Sequence, residues 1–112
     1  MNHARAHAAY ATSVSHRGPR AQEADLFRQI TGALRASERL GPIAKTRALA
    51  DNRRLWLAVC DLMRDPANQL PDVLRARIVA IGKAVLRELD SDRPNIDFLA
   101  NVNDQIADAL TS

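Results

Sequence analysis

Apolar residues recur at spacings of three and four along most of the chain, and no stretch shows the apolar–polar alternation of a β-strand. Prolines at positions 19, 42, 66, 71 and 94 divide this pattern into segments. A proline is tolerated in the first turn of a helix because its missing N–H has no intrahelical partner to lose there. The pattern therefore predicts an all-α protein in which several helices begin at or near a proline.

Four longer helices and one short one are predicted. In chain order they span about Ala4–Thr12, Pro19–Leu40, Ile43–Arg64, Pro71–Leu89, and a final stretch from after Pro94 to about Leu110, with Asn95 or Asp97 as its cap. Short connections favour antiparallel neighbours, and so a small antiparallel bundle forming a single domain over residues 1–112. Few large apolar side chains anchor residues 1–18, so we expect that segment to be mobile or loosely docked.

The helix predicted over Ile43–Arg64 has the widest apolar surface. At 100° per residue, its apolar side chains cover an arc of about 220° around Trp56, with Leu57 and Leu62 near the two edges. A surface helix does not need so wide an arc. Either this helix is central in the bundle, which we favour, or part of the arc faces a partner.

Three residues interrupt the predicted apolar faces. Gly82 costs roughly 1 kcal/mol relative to Ala inside a helix, so we expect another backbone to approach closely there. Asn52 and Asn103 lie on inner faces, where an unpaired buried amide costs about 1–3 kcal/mol. We hypothesise that both bond to backbone or to neighbouring side chains, or to each other, and so fix the helix register. The alternative is that they lie hydrated at the rim.

Composition narrows the class of protein. With 112 residues, 46% hydrophobic and 26% charged, the chain can fold as one small domain. Its single cysteine excludes an intramolecular disulfide. No apolar run reaches the roughly 20 residues of a membrane helix, and no segment has the pattern of a secretory signal. We therefore expect a cytoplasmic protein without membrane insertion.

The net charge of +3 is unevenly distributed. Residues 1–54 carry ten basic and four acidic side chains, whereas residues 88–112 carry one basic and six acidic. A basic half is compatible with a nucleic-acid partner. Because the basic residues are spread out, we favour the interpretation that the acidic end folds back against the basic part.

No group of residues points to catalysis. His3 and His7 have the i, i+4 spacing of a metal pair but lack a third ligand, and His16 has no acid–base partner. Cys60 lies on an apolar arc, where a small core residue is the expected role. The four glycines are isolated, so there is no phosphate-binding loop. We expect no enzymatic activity, no cofactor and no metal.

Four blocks of residues occur in order along the chain. They are Pro19-Arg20 with Glu23, Leu26, Phe27, Thr31, Ala33 and Leu34; the run Asn52-Arg53-Arg54-Leu55-Trp56; Leu70-Pro71 with Leu74-Arg75-Ala76, Ile78, Ile81-Gly82 and Val85; and Asn103 with Ile106-Ala107 and Leu110. With an early Tyr10, these blocks resemble the flagellar biosynthesis regulator FlaF family of alphaproteobacteria over essentially the whole chain. The run at 52–56 looks like the central signature of that family.

The resemblance implies a cytoplasmic accessory protein of flagellum assembly, associated with flagellin production and export alongside the translational regulator FlbT. In one mechanism the protein binds flagellin as a secretion chaperone and covers the amphipathic terminal helices through which flagellin polymerises. In the other it acts on flagellin messenger RNA or through FlbT. We favour the chaperone, because only four aromatic residues are present for stacking on RNA bases. A scaffold in the export apparatus is a weaker third interpretation.

Partner contact is predicted at Asn52, Arg53, Arg54 and Trp56, together with the neighbouring apolar surface. On a helical projection Arg54 lies roughly opposite Trp56 and is available to an acidic partner, and Arg53 flanks the apolar arc. The alternative is that Trp56 packs in the core and that both arginines are solvated. The sequence leaves the oligomeric state open.

Overall fold

The computed structural model describes residues 19–111, with side chains described over residues 21–111. This part of the chain forms four α-helices and no strand: α1 is Pro19–Leu40, α2 is Pro42–Arg64, α3 is Asp72–Leu89 and α4 is Ile96–Thr111. The all-α prediction is confirmed for these residues, and each of the four longer predicted helices begins and ends within two residues of the observed one. The helix predicted over 4–12 lies outside the described residues.

A single residue separates α1 from α2. Gly41 has a φ of 102°, in a region that side-chain-bearing residues rarely adopt, and its N–H bonds to the carbonyl of Ser37 at 3.3 Å. Pro42 then begins α2, where its missing N–H removes no helical bond. The glycine–proline pair therefore ends one helix and starts the next within one residue.

The N-cap of α4 also follows the local sequence. Asn95 accepts a hydrogen bond from the Phe98 N–H at 3.0 Å, as an N-cap does, so Asn95 is the cap of α4. None of the helices over residues 19–111 has both the length and the apolar character of a membrane-spanning helix.

Helix α2 lies between two neighbours. It packs against both α1 and α3, and α1 packs extensively against α4. Trp56, at the centre of the apolar arc of α2, is fully buried, whereas Leu57 and Leu62 at its edges are 47% and 53% exposed. The middle of the arc therefore lies in the core, as expected for a central helix, whereas the two edges of the arc are exposed to solvent. The antiparallel arrangement of the bundle stays a prediction.

The predicted inner face of α4 is confirmed, and that of α3 differs from the observed one at one residue. In α4 the buried residues are Ile96, Leu99, Ala100, Asn103 and Ala107. Val102, Ile106 and Leu110 are partly buried and pack against the core, so their predicted place on the inner side is confirmed. Leu74, predicted on the inner line of α3, is 43% exposed.

Gly82 of α3 faces side chains of α2 rather than a backbone, which corrects the sequence-based expectation. A Cβ added at Gly82 would overlap with the Cys60 sulfur and lie 3.2 Å from Cε3 of the Trp56 ring. The missing side chain therefore makes room for the indole and the thiol between α2 and α3. Cys60 is buried, as predicted for a core residue.

Candidate partner-binding site

A buried polar network occupies the centre of the predicted site. The Trp56 Nε1–H donates to Asn103 Oδ1 at 2.8 Å, and the Asn103 side-chain amide donates to Asn52 Oδ1 at 2.7 Å. All three side chains are fully buried. The hypothesis that the two asparagines bond to each other is confirmed, and the bond joins α2 to α4. The Nδ2 of Asn52 has no hydrogen-bond partner among the described residues.

This burial corrects the prediction that all four residues of the site touch a partner. A partner that docks on the folded protein cannot reach Asn52 or Trp56, because neither exposes any surface. Arg53 and Arg54 are accessible, but each already has a carboxylate neighbour in the chain. Arg53 pairs with Asp90 at 2.6 Å, and Arg54 pairs with Asp51 at 3.3 Å. Of these four residues, only the two arginines are therefore available for direct contact.

An open groove of about 790 Å³ lies beside this network. Its walls come from the first turns of α1, the second half of α2, the loop that follows α2, one residue of α3 and the end of α4. We call it the apolar groove; its lining residues are Glu23, Leu26, Phe27, Leu55, Ala58, Val59, Leu62, Met63, Asn68, Gln69, Leu70, Ile78, Ile106 and Leu110. Apart from Glu23, Asn68 and Gln69, all of them are apolar.

The rim of the apolar groove carries large apolar side chains in contact with solvent. Leu26 is 48% exposed and Leu62 is 53% exposed. Leu57, on α2 but outside the groove, is 47% exposed and offers a natural comparison. Contiguous apolar surface bordered by polar residues is typical of a protein–protein contact site.

The floor of the groove rests on the buried network. Phe27 lines the groove and packs edge-to-face on Trp56, with ring centroids 5.8 Å apart and planes 79° apart. Leu55, the neighbour of Trp56, also lines the groove. The run at 52–56 therefore supports the candidate site from below: Trp56 positions Phe27, and Asn103 positions Trp56.

The loop after α2 forms one wall, and side-chain bonds hold it in place. Asn68 donates to the carbonyl of Leu62 at 2.8 Å and accepts from the N–H of Leu70 at 2.9 Å. Arg75 of α3 donates from Nε to the carbonyl of Leu70 at 3.1 Å and from Nη1 to the carbonyl of Met63 at 3.2 Å. The guanidinium thus ties the loop to the end of α2 and fixes the shape of the wall.

These positioning residues were not singled out from the sequence as part of the site. Asn68 lies in a polar loop and Arg75 in a resemblance block, but neither position alone says which carbonyls it contacts. One sequence signal could have drawn attention to Arg75, namely its position shortly after Leu70-Pro71, near the loop that follows α2. Which carbonyl groups the Arg75 guanidinium contacts depends on the path of the loop, and only the structure shows that path.

The lining of the apolar groove is almost entirely apolar. Glu23 is its one ionisable lining residue. Among the residues that the structure describes, no three His, Cys, Asp or Glu side chains are grouped as a metal site requires. The candidate ligands His3, His7 and His16 lie outside the described residues.

The uneven charge of the chain is partly neutralised within the fold. Two arginines of α1 pair with two aspartates of α4: Arg28 with Asp108 at 3.2 Å, and Arg35 with Asp104 at 2.8 Å. The prediction that the acidic end folds back on the basic part is therefore confirmed. Each such exposed pair contributes at most about 1 kcal/mol to stability, but together they occupy basic surface that an anionic partner would use.

Comparison with known protein families identifies the chain. Residues 6–110 match the family model of the flagellar protein FlaF. The chain belongs to the FlaF family. The match covers nearly the whole sequence, including the run at 52–56 and all the residues of the apolar groove, and it identifies a flagellar-related protein. No curated protein and no solved structure gives a significant match to this FlaF chain.

Proposed function

We propose that this FlaF-family protein binds flagellin in the cytoplasm as a secretion chaperone and so regulates flagellin production and export. The observation that carries the proposal is the apolar groove with its half-exposed rim leucines, Leu26 and Leu62. Leaving such surface in water is unfavourable, and a partner that covers it gains the corresponding burial energy. Family membership supplies the flagellar context.

The chemistry of the groove suits an amphipathic helix. Such a helix docks through apolar side chains at spacings of three, four and seven, which an apolar groove can accept together. Leu26 and Leu62 stand on different helices and can contact two sides of one incoming helix. The bonds of Asn68 and Arg75 hold the loop wall in advance, which lowers the entropy lost on binding. Flagellin polymerises through terminal amphipathic helices, which need cover before export.

The alternative is regulation through flagellin messenger RNA or through FlbT. Stacking on RNA bases requires accessible aromatic rings. Of the described aromatic residues, Phe27 and Trp56 are buried and Phe98 alone is substantially exposed. Several arginines of the basic half are engaged with carboxylates. These observations favour a protein partner over RNA, and FlbT remains a second protein candidate.

The proposal is tested by co-purification of the full chain with monomeric flagellin, with FlbT and with flagellin messenger RNA in parallel. Leu62→Glu places a charge in the groove, and Leu57→Glu places the same charge at a similarly exposed leucine of α2 outside it. We expect a stoichiometric flagellin complex that is weakened about tenfold or more by Leu62→Glu, which corresponds to about 1.4 kcal/mol, and little by Leu57→Glu.

Salt dependence separates the alternatives. Flagellin binding dominated by apolar burial should persist at moderate salt, whereas binding to RNA phosphates falls steeply as salt rises. Equal effects of the two leucine variants would remove the groove as the site. Binding to RNA with a steep salt dependence, in the absence of a flagellin complex, would reverse the ranking of the two functions.

A further inference from the structure

Three polar side chains interrupt the lining of the apolar groove: Glu23, Asn68 and Gln69. The Asn68 amide is already engaged, since it bonds to the carbonyl of Leu62 and to the N–H of Leu70. Glu23 is exposed and forms no ion pair with any other residue that the structure describes. No lysine or arginine of residues 21–111 lines the groove. The carboxylate of Glu23 is therefore the charge that this lining offers to a partner.

Glu23 lies on the same face of α1 as two apolar residues of the groove. Leu26 and Phe27 follow it at spacings of three and four, and side chains at these spacings are neighbours on a helix, with Cβ atoms about 5–6 Å apart. Leu26 is half-exposed at the rim, and Phe27 is buried at the floor. A helix that packs on these two side chains therefore has a flanking residue beside the Glu23 carboxylate.

A carboxylate in this position discriminates between partners by the sign of their charge. Lysine and arginine side chains have apolar stems that pack along an apolar rim while the charged group stays in water. Such a side chain covers Leu26 and reaches the Glu23 carboxylate at once. An aspartate or glutamate in the same place meets a like charge, which lowers the affinity. The net charge of the chain is +3, so the chain as a whole does not attract a cationic helix, and the attraction comes from the groove itself.

We infer that the apolar groove selects a cationic amphipathic helix, one whose apolar stripe is flanked by lysine or arginine, and that Glu23 determines this selection. The leucines of the rim supply affinity for any apolar stripe, whereas the carboxylate supplies the preference for one charge. The inference rests on the proposed function for the name of the partner alone. If flagellin is that partner, the flagellin segment that binds has a basic residue beside its apolar stripe.

Two synthetic amphipathic peptides test the inference. They share one leucine stripe and differ only at the flanking positions, which are lysine in one peptide and glutamate in the other. Their affinities for the full chain are measured by fluorescence anisotropy. Glu23→Gln removes the charge and keeps the size of the side chain, and Glu23→Lys reverses the charge. The matched control, Glu38→Lys, makes the same reversal at an exposed residue of α1 outside the groove, fifteen residues or about 22 Å further along the helix.

We expect the parent chain to bind the lysine-flanked peptide about fivefold more tightly than the glutamate-flanked peptide at low salt, a difference in the range of exposed ion pairs. Glu23→Gln should reduce this preference to less than about twofold, and Glu23→Lys should reverse it. Glu38→Lys should leave the preference of the parent chain unchanged. Raising the salt concentration should weaken the preference, because exposed charges are screened, while binding through the leucine stripe persists.

Equal affinities of the parent chain for the two peptides would overturn the inference, and so would binding of neither peptide. Equal effects of Glu23→Lys and Glu38→Lys would overturn it too, because the preference would then follow the net charge of the chain. Co-purification with flagellin separates this inference from the proposed function. A flagellin complex without a preference between the peptides leaves the proposed function standing and removes the inference. A preference that depends on Glu23, without a flagellin complex, supports the inference and removes flagellin as the partner.

Discussion

Trp56 and Asn103 lie 47 positions apart in the chain and are joined by a buried hydrogen bond of 2.8 Å from the indole Nε1 to the amide oxygen. The same asparagine donates to Asn52 at 2.7 Å, so one side chain of α4 satisfies two polar groups of α2. Since Trp56 supports Phe27 on the groove floor, this contact links the core to the candidate site.

The two asparagines should differ in their importance for stability. Asn103→Leu leaves the Trp56 indole N–H and the Asn52 oxygen without partners and should lower the free energy of unfolding by about 2–4 kcal/mol. Asn52→Leu orphans one donor of Asn103 but also removes the Asn52 Nδ2 that has no partner, so it should stay within about 1 kcal/mol of the parent. Urea unfolding followed by the fluorescence of Trp56, the single tryptophan, measures both.

Partner binding provides the control for this pair of variants. If the network fixes the helix register, Asn103→Leu should weaken the complex as well as the fold. A rise in melting temperature for both variants, with unchanged partner binding, would show that the asparagines do not fix the register.

Gly82 should resist substitution although alanine is the better helix former. Gly82→Ala gains about 1 kcal/mol of helix propensity. Its Cβ overlaps with the Cys60 sulfur, and overpacking of this kind costs about 1–3 kcal/mol, so we expect a net loss of stability. Cys60→Ala removes the sulfur. In that background the cost of Gly82→Ala should fall by at least about 1 kcal/mol, as measured by a double-mutant cycle; additive effects would argue against the contact.

Arg75 should not be replaceable by lysine. Its guanidinium reaches the carbonyls of Leu70 and Met63 with two separate nitrogens, which one ammonium group cannot do in the same geometry. Arg75→Lys should reduce stability by about 1–2 kcal/mol and weaken binding in the groove. Arg77→Lys is the matched control on the exposed surface of α3 and should change stability by less than about 0.5 kcal/mol. Equal losses of stability in both variants would mean that the loop wall does not depend on the two hydrogen bonds of the Arg75 guanidinium.

The arginines of the run at 52–56 should matter less than the groove. Arg53→Ala and Arg54→Ala each break an exposed ion pair, so each should change stability by less than about 1 kcal/mol. In a flagellin titration each should lower the affinity by less than about threefold, compared with about tenfold or more for Leu62→Glu. If substitution of the arginines lowered the affinity for flagellin more than Leu62→Glu does, the binding site would lie at the arginines, as predicted from the sequence, rather than in the groove.

The helices and their ends could be predicted because their signals are local. Proline at the first turn, Gly41 between α1 and α2 and Asn95 at the cap of α4 act within a few residues, and the structure uses them as predicted. The pairing of Asn52 with Asn103 could be predicted for a different reason. A buried amide must be satisfied, and the two asparagines are the polar residues on facing apolar stripes.

The candidate site could be predicted only in part. The run at 52–56 lies beside the apolar groove, but Trp56 and Asn52 within it are buried and do not form its surface. The groove combines residues of all four helices and one loop. No periodicity within one helix can show how its half-exposed edge meets the edges of others.

By itself the sequence determined the all-α fold, the helix ends, the family and the need to satisfy two inner asparagines, because each of these depends on neighbouring residues or on the composition of one face. Tertiary structure alone decided which apolar residues are buried, that Gly82 accommodates Trp56 and Cys60, and that Leu26 and Leu62 border one groove. The reason is physical: burial depends on how separate helices pack, and packing is a relation between residues distant in the chain.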